Sequence, residues 1–167
     1  MKDLSSICLS CGLCCDGTLI GFVHLDAEEV PEVRKYMEIE EEQGHGFFLH
    51  PCQRYCDGCT IYAHRPKQCG LFKCGLLKSV EQKELQFDLA LEAIAELKEL
   101  KLNIEERLSS MTFDLQSPSF YFRIIELKRR LLKLEQSASL SSKDHLLLAT
   151  LQQFDVLLLE KFDLTID

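Results

Sequence analysis

Cys8-Leu9-Ser10-Cys11-Gly12-Leu13-Cys14-Cys15 is the stretch on which the reading of this chain turns. A two-residue gap between cysteines lets a tight turn bring both sulfurs to one ion, and Gly12 supplies the backbone freedom that such a turn wants. Adjacent Cys14 and Cys15 are different, because neighbouring side chains point apart and do not easily take two corners of one tetrahedron. This pair therefore either serves two metal centres or has one member that binds none. Downstream come Cys52-x3-Cys56-x2-Cys59 and, ten residues on, Cys69-x4-Cys74. All nine cysteines lie between Cys8 and Cys74, and the last 93 residues hold none. Eight thiolates close two structural zinc sites with one thiol over, while nine can also build a three-metal cluster with bridging sulfurs. Such centres carry net negative charge, and Arg54, Arg65, Lys67 and Lys73 stand where hydrogen bonds to sulfur would offset it.

The composition around these blocks is that of a folded chain: 167 residues, 46 % hydrophobic and 28 % charged. No run approaches the length of a membrane span, and the start, Met1 to Cys8, lacks the apolar segment of an export signal. A cytoplasmic location follows as the expectation. A reducing cytoplasm and an odd cysteine count favour metal binding over a disulfide framework. A net charge of -8 argues against nucleic-acid and anionic-membrane partners, since both need a clustered positive field.

The chain splits by composition into a cysteine-rich metal-binding module over 1–77 and a helical bundle over 78–167. The first part carries all eight glycines, four of the five histidines and three of the four prolines. Within it a helix is predicted from an Asp26 N-cap, through Val30, Val33, Tyr36 and Met37, towards Glu42. Thr18 to Leu25 and Gly46 to His50 read as short strands. The acidic run Glu38, Glu40, Glu41 and Glu42 reads as a solvated helix face. In the second part Ser79 and Gln82 suggest a capping box opening a helix that Asn103 stops, with a short helix over residues 105–111 after it. Its predicted buried face is Val80, Phe87, Ala90, Leu91, Ile94 and Leu97. Ser117 with Pro118 opens the next, with its stripe at Tyr121, Ile124, Ile125, Leu127, Leu131 and Leu134. A third opens near Ser141 with Asp144 in its first turn, and carries Leu147, Leu148, Leu151, Phe154, Leu157 and Leu158. The expected fold is mainly α: a small irregular metal-stabilised module followed by an antiparallel bundle of about three helices.

Iron is the rival to zinc. Cys8, Cys11 and Cys14 reproduce the first three positions of the bacterial ferredoxin run for a [4Fe-4S] cluster, but the fourth position and its proline do not follow. Cys52-x3-Cys56-x2-Cys59 has the spacing of radical S-adenosylmethionine enzymes, whereas the rest of the chain lacks the strand-helix alternation of a barrel. No glycine-rich nucleotide loop, Gly-x-Ser-x-Gly or His-Glu-x-x-His occurs, so no catalytic residue is assigned.

The ordered cysteines, with Pro51-Cys52, Cys59-Thr60-Ile61-Tyr62, Arg65-Pro66, Cys69, Phe72 and Cys74, resemble the CxxCxxCC family of zinc- or iron-chelating proteins. The resemblance covers roughly the first 75 residues and leaves the helical part outside it. It implies metal chelation by the eight family positions, Cys8, Cys11, Cys14, Cys15, Cys52, Cys59, Cys69 and Cys74. Cys56 departs from the family pattern and is the spare thiol, an additional candidate ligand. Flagellin lysine N-methylases carry a similar cysteine pattern, so the resemblance also admits an iron-sulfur redox or methyl-transfer enzyme.

The leading reading is a cytoplasmic metal-chelating protein whose two zinc centres fold the first part of the chain. Its rivals are the [4Fe-4S] enzyme and an adaptor that binds a protein partner through the bundle. His24, His45, His50 and His64 read first as hydrogen-bonding or exposed side chains and only second as ligands completing a mixed site, His50 beside Cys52 and His64 beside Arg65-Pro66 being the foremost for that second role. Tyr62 and Phe72 read as packing around the metal, and Asp16 and Asp57 as turn residues ahead of glycine. So small and polar a module is not expected to form a core unaided.

Overall fold

The structure, a computed structural model, describes residues 5–167. The first four residues of the stretch read above for an export signal lie outside the described residues. The chain divides into two compact units, one running up to Lys73 and taking in Pro118–Tyr121, the other made of Cys74–Ser117 and Phe122–Asp167.

The first unit is built on a three-stranded antiparallel sheet of order β1-β3-β2, with β1 at Phe22–Leu25, β2 at Glu40–Glu42 and β3 at His45–Leu49. Phe22 lies opposite Leu49 and Leu25 opposite Gly46, while Glu40 faces Phe47 across the other pair. Strand alternation turns Val23, Leu25 and Phe48 to one side. There they join Val30, Val33, Met37 and Ile61 in a buried apolar cluster against which Cys52, Cys59 and Cys69 pack. The module thus has an apolar cluster of its own, with three of the candidate ligands packed on it. Short helices complete the unit: α1 at Ser5–Cys11, α2 at Val30–Val33, and α3 at Lys67–Leu71 after a 3-10 turn at Tyr62–His64.

The helix expected from Asp26 to Glu42 survives only as α2. Like charges three and four residues apart weaken a helix over Glu38–Glu42, and the hairpin offers those residues a better arrangement. Gln43 and Gly44 are both left-handed, at φ +52 and +84, which is what a type I′ turn requires. The turn folds Glu40–Glu42 onto β3, so the acidic run is an exposed strand and not a helix face. The two short strands read from the sequence are present as β1 and β3.

The second unit contains α4 at Gly75–Glu81, α5 at Phe87–Ser109, α6 at Phe120–Gln136 (whose first two residues belong to the first unit) and α7 at Ser142–Leu157. A π-helical turn, Leu158–Phe162, ends α7. The buried face of α5 is Ala90, Ala93, Ile94, Leu97 and Ile104, that of α6 in this unit Ile124, Leu127 and Leu131, and that of α7 Leu147, Leu151, Phe154 and Leu157. Helix α5 packs on α7. Ion pairs Arg123–Glu105 at 2.8 Å and Lys128–Asp155 at 2.9 Å tie α6 to each of them.

The α7 start is as predicted: the Ser141 N–H donates to the Asp144 carboxylate at 2.7 Å, and the Asp144 N–H donates to Ser141 Oγ at 3.3 Å. The Ser79 start is not. Leu76 and Leu77 are buried, so the helix begins at Gly75 and Ser79 lies inside α4, its carbonyl accepting the Glu84 and Leu85 N–H groups at the far end. Asn103 does not stop α5, because Ile104 falls two turns beyond Leu97 on the same buried stripe and keeps the helix packed. Residues 105–109 accordingly continue α5 and form no separate helix. No helix among the described residues is long and apolar enough to cross a membrane.

Candidate metal centre

Helix α1 sets Cys8 and Cys11 three residues apart, on one face. Gly12 ends it in the left-handed conformation, its N–H donating to the Cys8 carbonyl at 3.2 Å. The chain then makes a tight turn over buried Leu13 and Leu19. Asp16 serves that turn, Oδ1 accepting the Thr18 N–H at 2.9 Å and the Thr18 hydroxyl at 2.6 Å. At the end of the first block the Cys15 carbonyl accepts the Cys52 N–H at 2.7 Å, which fastens it to the second.

The second block is a small closed loop. Tyr55 and Cys59 form an antiparallel bridge, and the Thr60 N–H donates to the Arg54 carbonyl at 2.9 Å. Left-handed Asp57 and Gly58 make the tip. Cys52 and Cys59 thus lie at the base of the loop, against the apolar cluster, while Cys56 lies at the exposed tip. Cys69 comes from α3 and packs on the same cluster.

Four thiols come within electrostatic reach of one another. Burial pushes the Cys15 thiol up to about 12, and Cys52 and Cys59, then Asp16 and Cys8, add to it. Burial pushes Cys69 up to about 12 as well, followed by Cys15, Cys52 and Cys59, with Arg65 opposing. The Cys52 thiol is raised by burial and by Cys59, against the N–H and guanidinium of Arg54 and the N–H of Tyr55. Every pair among Cys15, Cys52, Cys59 and Cys69 therefore interacts, and Cys8 is coupled to the set through Cys15. Arg54 and Arg65 are the cations at the sulfurs, whereas Lys67 is engaged with Asp26 at 3.0 Å and with Glu28.

The other sequence candidates fall around this set. Tyr55, which the sequence reading passed over, covers the Gly12 backbone and lies within electrostatic reach of Cys15 and Cys11. Arg65 sits 3.9 Å over the ring of Tyr62. His64 stacks on Tyr36 with ring centres 5.6 Å apart, and His24 meets Phe22 edge-on at 4.9 Å. His45 is exposed on β3. His50 is 1 % exposed and follows β3; burial pushes its imidazole down, against the Cys15 backbone and the Asp16 carboxylate, which push it up. Cys74 belongs to the second unit, where it caps α4; burial raises its thiol and the Leu77 and Leu76 N–H groups oppose that.

Among the described residues, no three Cys, His, Asp or Glu side chains converge tightly enough to hold an ion as they stand. The donor set nevertheless suits a thiophilic ion: Cys15, Cys52, Cys59 and Cys69 are free thiols, mutually coupled and partly withdrawn from water. Their electrostatic cost in the deprotonated form is the kind that a divalent cation removes.

No curated protein and no solved structure matches the chain. The model of one protein family, CxxCxxCC, described as "putative zinc- or iron-chelating domain", matches residues 7–100. The match runs past the limit of about 75 read from the sequence, taking in α4 and the first part of α5, so the family domain is not confined to the cysteine-rich part. It spans more than half of the chain, and the protein belongs to the CxxCxxCC family of zinc- or iron-chelating domains.

Proposed function

We propose that this chain is a cytoplasmic metal-chelating protein with two thiolate-ligated centres, zinc in preference to iron, that stabilise its first unit. One ligand set is Cys15, Cys52, Cys59 and Cys69. The observation that carries the reading is the packing of Cys52, Cys59 and Cys69 against a single apolar cluster, with Cys15 bonded through its carbonyl to the Cys52 N–H. A bound ion would take up their negative charge, with Arg54 and Arg65 beside the sulfurs to share it. Cys8 and Cys11 on one face of α1, with Cys14 after it, are the family-pattern thiols left within the first unit for the other centre, Cys56 being the spare. Cys74 stays among the ligands on its place in the family pattern alone. Binding at such a set is folding free energy, on the order of 10 kcal/mol for a structural zinc module.

The test is metal and acid-labile sulfide content, with an absorption spectrum, on protein purified without oxygen. Wild type is expected to carry about two zinc ions per chain, and Cys15→Ala about one. Iron with matching sulfide and a broad visible band would transfer the same thiols to an iron-sulfur cluster and overturn the zinc assignment. A chain that binds neither metal and stays folded would remove the chelation reading.

A further inference from the structure

His50 is the one place among the described residues where a buried imidazole keeps both ring nitrogens without a well-formed hydrogen bond, the Cys15 backbone facing the ring but not in bonding geometry. Phe48 presents its ring edge-on at 5.7 Å, while the other neighbour is the turn that carries Cys15, Asp16 and Gly17. A β-carbon built at Gly17 would stand 3.1 Å from Ser119 Oγ and 3.2 Å from the His50 β-carbon, so the glycine lets residue 50 close on the turn. The His50 N–H donates to the Gly21 carbonyl at 2.9 Å, and two residues on the Cys52 N–H holds the Cys15 carbonyl at 2.7 Å. The backbone at His50 is thus fixed beside the segment that joins two members of the thiol set, and its ring faces the Cys15 backbone and the Asp16 carboxylate. Native folds rarely leave such a group unpartnered, and an ion or its ligands are among the partners that explain one.

We propose that His50 is a positioning residue of the metal centre, its ring N–H donated to the Cys15 thiolate once that thiolate is bound to the ion. The inference rests on the chelation reading above. In every protonation state an imidazole carries at least one N–H, so the donor is present whichever tautomer the apo chain holds. Four thiolates already close a tetrahedral site, which leaves the imidazole the part of a donor to sulfur and not of a ligand. A hydrogen bond of this kind withdraws charge from the sulfur and sets its orientation.

The test uses the full chain, stripped of metal and titrated with Co2+ against a competing chelator, as wild type, His50→Leu and His50→Gln. Loss of the donor in His50→Leu is expected to weaken Co2+ binding about 10- to 100-fold and to shift the sulfur-to-cobalt charge-transfer band to lower energy, with His50→Gln recovering both in part. Unchanged affinity and band in His50→Leu would overturn the inference, as would a loss of affinity without a band shift, which is the mark of packing alone. A wild-type ligand field of three sulfurs and one nitrogen would overturn it by making His50 a ligand. Absence of any sulfur-to-cobalt band in wild type would remove the chelation reading and the inference together. A second readout needs no variant: in wild-type protein loaded with Zn2+, the His50 ring proton is expected to exchange with water more slowly than in the metal-free chain, and equal rates would count against the bond.

Discussion

Tyr55 lies across the backbone of Gly12, so closely that a β-carbon built on Gly12 would meet the Tyr55 hydroxyl at 2.2 Å. The same glycine is left-handed, at φ +69. Two separate penalties therefore fall on Gly12→Ala: the backbone strain of a left-handed alanine, about 1 kcal/mol, and the displacement of an aromatic ring that covers the cysteine turn. Gly44, also left-handed at φ +84, has nothing within 4 Å and carries only the first penalty. Chemical denaturation is expected to show Gly12→Ala as clearly the more destabilising of the two, and equal losses would mean that the Tyr55 contact has no energetic weight.

Cys56 and Cys59 are three residues apart and differ in where the loop puts them, one exposed at the tip and the other against the apolar cluster. Cys59→Ser is expected to weaken zinc binding by more than the roughly 10- to 100-fold typical of groups that merely orient a ligand. Cys56→Ser is expected to leave the affinity within about 2-fold of wild type. A chelator competition assay separates them, and a large effect at Cys56 would place a ninth thiol in the ligand set.

Zinc binding must displace protons, since Cys15 and Cys69 in the metal-free chain are pushed up to about 12 and are fully protonated near neutrality. Affinity is therefore expected to fall as pH falls, with about one proton released for each thiol that becomes a ligand. Calorimetric titration in buffers of different ionisation enthalpy counts those protons directly.

The same shifts act on the metal-free fold at the other end of the pH scale. Folded pKa values near 12 lie above the ordinary 9.0, so the unfolded chain loses its thiol protons first as the pH rises. Their contribution to stability is full below about pH 9 and is lost progressively towards pH 12. Denaturation midpoints of the apo chain across that window are expected to decline, and loading with zinc, which holds the thiolates in place, is expected to remove most of the decline.

In the second unit the reciprocal bonds of Ser141 and Asp144 close the start of α7. Ser141→Ala is expected to cost about 1 kcal/mol, while the exposed Ser139→Ala, outside the box, is expected to cost much less. Thermal unfolding of the two variants makes the comparison.

The α7 cap, the strands at Phe22–Leu25 and His45–Leu49 and the leucine stripes were legible because each depends on neighbours in sequence. Glu40–Glu42 was not, since the hairpin that captures it is decided by Phe47 and Gly46 on the facing strand. Ser79 carries a sound local signal for a helix start, yet Leu76 and Leu77 bury themselves one turn earlier and move that start to Gly75. The cysteine spacing pointed to thiolate chemistry without saying which thiols meet. Bringing Cys15 to Cys52, Cys59 and Cys69 takes the Cys15–Cys52 backbone bond and the packing of α3 on the sheet, both long-range. Tyr55 and the unpartnered ring of His50 have no signature in a single sequence.

Because β2 pairs with β3 on one side only, its far edge offers a row of backbone donors and acceptors to any passing strand. Three successive glutamates, all exposed, line that edge. A second molecule adding its own β2 there would bring six carboxylates together at neutral pH, only the Glu41 of each copy being held by an Arg34, and like-charge repulsion opposes that. The acidic run so acts as a guard against sheet-to-sheet self-association, and one that acid disarms: with the glutamates neutralised, the edge becomes an ordinary site for aggregation.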